Sequence, residues 1–266
     1  MRSPPLSRLP EAEADAAISW RDHVVAGRLS EALAAQLEAA PDDIGTARAL
    51  NDLLTLRAHL RAKAWLRAER LATTLAPDFA TVLPTLESEV TRLKGSGEHL
   101  ERGEVDAALT LLEGVELPLL RAEVETQRGT AHAFSGDAEA AEAAFRRATE
   151  YDPKHYRAVT NLGSVALEAG RVDDAIALYQ AALAINENFA NAHHNLGVAY
   201  RRKGQVNKSV QAIRKAQRVG RQRERDEAKA SVRGLVTGRG GRYVKWLLWA
   251  VAAGVLYLIL QALGVI

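Results

Sequence analysis

The chain has 266 residues, with 35 Lys and Arg, 33 Asp and Glu, and no cysteine, which excludes a disulfide scaffold, thiolate metal sites and a cysteine nucleophile. Aromatic residues are 5% while Ala, Leu, Glu and Arg abound, so the composition argues for an all-α protein and against sandwiches and barrels. The net charge of +2 hides three zones: residues 1–200 hold 20 basic and 30 acidic side chains, residues 201–245 hold 15 basic and 3 acidic, and residues 246–266 hold none.

Residues 1–10 read as a disordered N-terminus, and the first twenty residues lack the apolar run of a secretory signal. Residues 11–121 read as degenerate helical hairpins. Gly27-Arg-Leu-Ser-Glu-Ala32 and Gly103-Glu-Val-Asp-Ala-Ala108 share one turn-plus-helix pattern. Residues 43–77 lie between them without a turn glycine, and predict a helix pair or one long helix ending near Pro77. A further helix is expected over 80–94. Residues 93–104, LKGSGEHLERGE, are expected to form a loop and turn. The alternative for this region is a separate helical domain preceding the repeats.

Residues 122–221 carry a repeat of 34 residues. Gly129, Gly163 and Gly197 are 34 apart, and so are Gly136, Gly170 and Gly204. Asn161-Leu162-Gly163 recurs as Asn195-Leu196-Gly197. Ala141, Ala175 and Ser209 stand in register, as do Ala148, Ala182 and Ala216, with Phe145, Tyr179 and Ile213 between them. The first glycines permit close helix approach, and the second supply a left-handed residue that ends a helix. Three units of this kind resemble the tetratricopeptide repeat, a 34-residue helix–turn–helix. The resemblance implies an all-α solenoid whose first helices line a concave groove.

In the family's register the groove residues are Glu123, Thr126, Gln127 and Thr130 in one unit. The next unit offers Arg157, Thr160, Asn161, Ser164 and Glu168, and the last Asn191, His194, Asn195, Arg201 and Arg202. Small polar side chains leave room for a peptide, Asn161 and Asn195 can pair with its backbone, and the arginines favour an acidic segment. The family's carboxylate clamp for chaperone tails is not reproduced. Thr126 and Thr130 replace its Lys and Asn, and only Asn161 matches. Enzyme motifs are missing from the sequence, no metal or cofactor is implied, and the expectation is a non-enzyme.

Residues 222–242 read as a basic capping helix and a juxtamembrane linker, and residues 243–266 as a transmembrane helix. The stretch from Trp246 to Ile266 is 21 residues long and uncharged, enough to span the roughly 30 Å hydrocarbon layer. Tyr243, Trp246 and Trp249 suit the interface, and Arg239, Arg242 and Lys245 lie just outside it. The positive-inside rule places residues 1–245 in the cytoplasm. The composition suggests a bacterial inner membrane. Anionic headgroups would attract the basic stretch. Nucleic acid is the disfavoured reading, because residues 239–242 contain a single RGG-like segment. Ala250 and Gly254 form a small-xxx-small pair, a potential dimer face, and leave oligomeric state open. The function expected is a tail-anchored adaptor that binds a protein or peptide in its groove. The alternative is a structural or assembly subunit of a larger membrane complex.

Overall fold

The computed structural model describes residues 19–237 and Gln261. The elements, in order, are α1 (Trp20–Val25), α2 (Leu29–Ala39), α3 (Ile44–Arg61), α4 (Trp65–Leu75), α5 (Leu86–Glu101) and α6 (Val105–Glu113). A 3-10 turn at Pro118–Leu120 leads to α7 (Arg121–Phe134), α8 (Ala138–Tyr151), α9 (Tyr156–Glu168), α10 (Val172–Ile185), α11 (Ala190–Arg202) and α12 (Val206–Thr237). The described residues contain no strand.

These helices pair into hairpins, and one turn geometry serves all of them. In the α9–α10 turn Gly170 adopts φ +77°, its N–H donates to the Leu167 carbonyl, and the next N–H, of Arg171, reaches back to the Ala166 carbonyl. This is the Schellman arrangement, which satisfies the last carbonyls of the helix. The same pair of bonds recurs in the α3–α4 turn, where Lys63 takes φ +52° and Ala64 N–H donates to the His59 carbonyl. The segment that lacks a turn glycine is therefore two helices. A lysine holds the left-handed position that glycine holds elsewhere.

Close helix approach explains a second departure from the sequence reading. Residues 93–101 are not a loop; they complete α5. A methyl at Gly163 would lie 2.6 Å from the Tyr179 ring, one at Gly129 2.6 Å from Phe145, and one at Gly197 2.6 Å from Ile213. Gly95 stands 34 residues before Gly129 and faces Leu111 in the same way, at 3.1 Å. Gly97 faces Trp65 at 3.1 Å. These glycines sit inside a helix because a neighbouring side chain fills the space over them, and that packing outweighs the roughly 1 kcal/mol each costs a helix.

Two styles of core follow. From α1 to the start of α7 one shared cluster, including Val24, Leu50, Leu56, Phe79, Leu93 and Leu120, joins the hairpins. The α1–α2 turn at Gly27 lies against the Pro118 backbone, and the Glu89 carboxylate accepts from the N–H groups of Glu116 and Leu117. From α8 onward the core is segmented. Phe145 packs with Leu162 and Val165, and Tyr179 with Leu196 and Ala199, one hairpin against the next.

Helix α12 runs unbroken to Thr237, so no separate capping helix begins at residue 222. The second helix of the last hairpin simply continues. The predicted span, residues 243–266, lies outside the described residues apart from Gln261, as do Arg239, Arg242, Tyr243, Lys245, Trp246 and Trp249. The disordered N-terminus expected at residues 1–10 also lies outside them. Among the described residues no helix is long and apolar enough to cross a membrane.

Candidate peptide-binding groove

Helices α7, α9 and α11 present equivalent positions 34 residues apart. The same position becomes progressively more open along the array. Glu123 is buried, Arg157 is half-buried and Asn191 is exposed. Thr126 and Thr160 are buried, whereas His194 is exposed. Gln127 is buried, while Asn161 and Asn195 are half-buried.

Two other helices reach the first part of this face: α5 meets Gln127 on α7, and the C-terminal end of α3 meets Arg157 on α9. Arg157 Nη1 donates to the carbonyls of Leu60 and Arg61 at 3.2 and 3.4 Å. Arg61 in turn forms a two-point ion pair with Asp152, which caps the end of α8. Arg57, one turn earlier, donates to the Gly27 carbonyl at 2.5 Å, so the same helix ties the first hairpin to the repeats.

A buried polar network lies beneath this contact. Ala158 N–H donates to His155 Nδ1 at 3.3 Å, which makes His155 the N-cap of α9. With Nδ1 accepting, the neutral ring carries its proton on Nε2, which donates to Glu123 Oε2 at 3.1 Å. Arg157 reaches the same carboxylate at 3.1 Å. Gln127 Nε2 donates both to Glu123 and to the Leu93 carbonyl on α5. Burial pushes the Glu123 carboxyl upward, but the Arg157 charge and the His155 and Gln127 donors outweigh it and hold the group below its ordinary range. Thr126 donates to the Ala122 carbonyl, and Thr130 to the Thr126 carbonyl.

Several predicted groove residues are therefore corrected. Glu123, Thr126, Gln127, Thr160 and Arg157 are engaged with the chain's own helices and present little surface to a peptide. Thr130 is half-buried. The remaining predicted residues are more accessible: Asn161, Ser164 and Asn195 are half-buried, and Glu168, Asn191, His194, Arg201 and Arg202 are exposed. Within this set Asn195 Nδ2 and the Tyr179 hydroxyl both donate to Ser164 Oγ, at 3.2 and 3.3 Å. Arg202 donates to the Leu167 carbonyl at 2.7 Å and so closes the end of α9.

Arg61 and Asp152 pair in the structure with no signal in the sequence. They are 91 residues apart and belong to no shared motif. Among the described residues no group of three His, Cys, Asp or Glu side chains is placed to hold a metal.

Two tetratricopeptide-repeat models match this region, one over residues 126–189 and the other over 166–232. The hairpins α7–α12 are tetratricopeptide repeats. The chain is also similar to a solved structure titled "Crystal structure of MamA", with 20% identity, a TM-score of 0.43, and coverage of 79% of this chain and 99% of that one. A MamA structure from Desulfovibrio magneticus RS-1 shows 27% identity over 50% of this chain and 76% of that one, with a TM-score of 0.40. No curated protein sequence matches the chain.

Proposed function

We propose that this chain is a non-catalytic protein-binding scaffold, held on the cytoplasmic face of a membrane by residues 246–266. An extended segment of a partner protein binds across α9 and α11. The observation that carries the reading is the opening of the groove along the array: Glu123, Thr126, Gln127 and Thr160 are buried, and Asn161, Asn191, His194, Asn195 and Arg201 line the remainder. Amide side chains there suit the carbonyls and N–H groups of an extended backbone. Arg201 and Arg202, with no carboxylate of the chain bound to either among the described residues, favour an acidic segment.

The test is site-specific photocrosslinking in native membranes with the full chain. A crosslinker at His194 should capture one discrete partner, and Asn161→Ala with Asn195→Ala should abolish the product. A crosslinker at Ala184, on the outer helix α10, should capture none. Equal capture from both positions, or none from His194, rules out the groove. The tether is tested separately, because protease added to sealed inverted membranes should digest residues 19–237. Protection of that region overturns the orientation.

A further inference from the structure

Helix α12 carries a second surface. Ser209, Ala212 and Ala216 form its buried side, against α11. On the far side Arg214, Arg218, Arg221, Arg225 and Lys229 follow at steps of four, three, four and four residues. At 100° per residue those steps keep all five on one line, roughly opposite Ala212 and Ala216. The line runs roughly 22 Å at 1.5 Å per residue. All five side chains are exposed, and among the described residues none is held in an ion pair. The carboxylates of Glu224 and Asp226 fall to either side of the line, about a quarter turn away. Gln222 donates to Asp226.

A straight, exposed row of one sign matches a plane of negative charge better than a pocketed ligand. We infer that this row lies along an anionic phospholipid surface and fixes how the solenoid stands on it. Two further features favour lipid. The uncharged stretch from Trp246 begins only 17 residues beyond Lys229, so the row sits close to the proposed tether, on which this inference rests for the nearness of a bilayer. Residues 1–200 carry ten more acidic than basic side chains, so an anionic surface that draws α12 in repels the rest of the solenoid. The attraction and the repulsion together orient the molecule, with the row turned toward the lipid. Each cation near such a surface strengthens binding about fivefold, so losing three should weaken the contact by about a hundredfold.

The chain has no cysteine, so Ala228→Cys gives one labelling position, exposed and beside the row. The labelled full chain is mixed with vesicles of phosphatidylcholine alone, or with one-third phosphatidylglycerol, each containing a headgroup quencher. The expected result is quenching only in the anionic vesicles. It should be reversed by about 0.5 M salt, whose screening length is only a few ångströms, and by Arg218→Gln, Arg221→Gln and Arg225→Gln together. Glutamine keeps the helix, which circular dichroism verifies. Equal quenching in both vesicles, or quenching indifferent to salt and to the triple variant, overturns the inference. So does RNA binding through the same three arginines without lipid quenching.

Flotation separates this outcome from that of the tether. Flotation with neutral vesicles reports the apolar segment alone. Flotation only with anionic vesicles, released by salt, supports the row and counts against the tether. No flotation with either overturns both.

Discussion

Arg61 and Asp152 meet across 91 residues of chain: Nε–H of the guanidinium donates to Oδ2 at 2.5 Å and Nη2 donates to Oδ1 at 2.8 Å. The carboxylate is 3% exposed and the arginine 17%, so this pair joins α3 to the repeats away from water. Removing one partner strands the other charge in a poorly hydrated place. Arg61→Ala should lower the unfolding free energy by about 3 kcal/mol in urea titrations. Arg61→Lys should recover part of that loss, because an ammonium cannot make the two-point contact. A change below about 0.5 kcal/mol would mean that the pair behaves like an exposed one.

Glu123 should make stability sensitive to acid. Its folded-state pKa lies below the ordinary value of 4.5, so the carboxylate contributes stability that is fully present above that value. The contribution is lost as pH falls through the lower folded value. Unfolding free energy measured between pH 6 and pH 3 should therefore fall more steeply in the native chain than in Glu123→Gln. Parallel slopes would show that Glu123 does not govern the acid limb.

The hairpin array was legible from glycine spacing because each unit must solve the same two geometric problems, a tight turn and a close crossing. Glycine spacing is silent where another residue solves one of them. Lys63 holds the place of a turn glycine, and Gly95 and Gly97 are crossing positions beneath Leu111 and Trp65 rather than loop formers. The groove was legible as a set of positions, and its occupancy was not. Nothing periodic connects Leu60 and Arg61 to Arg157, so the contact of α3 with this face has no local signature. The 34-residue period ends at the last repeat, yet α12 continues, because a run of Arg, Gln, Glu, Lys and Ala favours helix without a packing partner.

Lys63 and Gly170 occupy equivalent left-handed turns, and substitutions there should have opposite signs. Relieving a non-glycine residue of positive φ returns about 1–2 kcal/mol, and the added freedom of glycine in the unfolded chain takes back about 0.5–1. The exposed contact of Lys63 with Glu101 at 3.3 Å adds little. Lys63→Gly should therefore raise stability by about 0.5 kcal/mol. Gly170→Ala, at φ +77°, should lower it by about 1 kcal/mol. Thermal melts of the two variants, read against the native chain, check both signs; a loss for Lys63→Gly would mean that its contacts outweigh its strain.

The helix-crossing glycines permit a sharper comparison, because the atoms above them differ in stiffness. Replacing a mid-helix glycine by alanine gains about 1 kcal/mol of helix propensity. At Gly95 the new methyl would meet the Leu111 Cδ1 atom at 3.1 Å, the tip of a side chain that can rotate, so Gly95→Ala should be neutral or slightly stabilising. At Gly163 the methyl would meet the Tyr179 ring at 2.6 Å, and that ring is fully buried with its hydroxyl bonded to Ser164. A rigid ring can yield only by moving α10 away from α9, so Gly163→Ala should cost about 1–3 kcal/mol net. If that crowding is the cause, Tyr179→Leu should be less harmful in the Gly163→Ala background than alone, a coupling that a double-mutant cycle measures. Strict additivity would place the cost in the helix itself and remove close approach as the reason for glycine at that position.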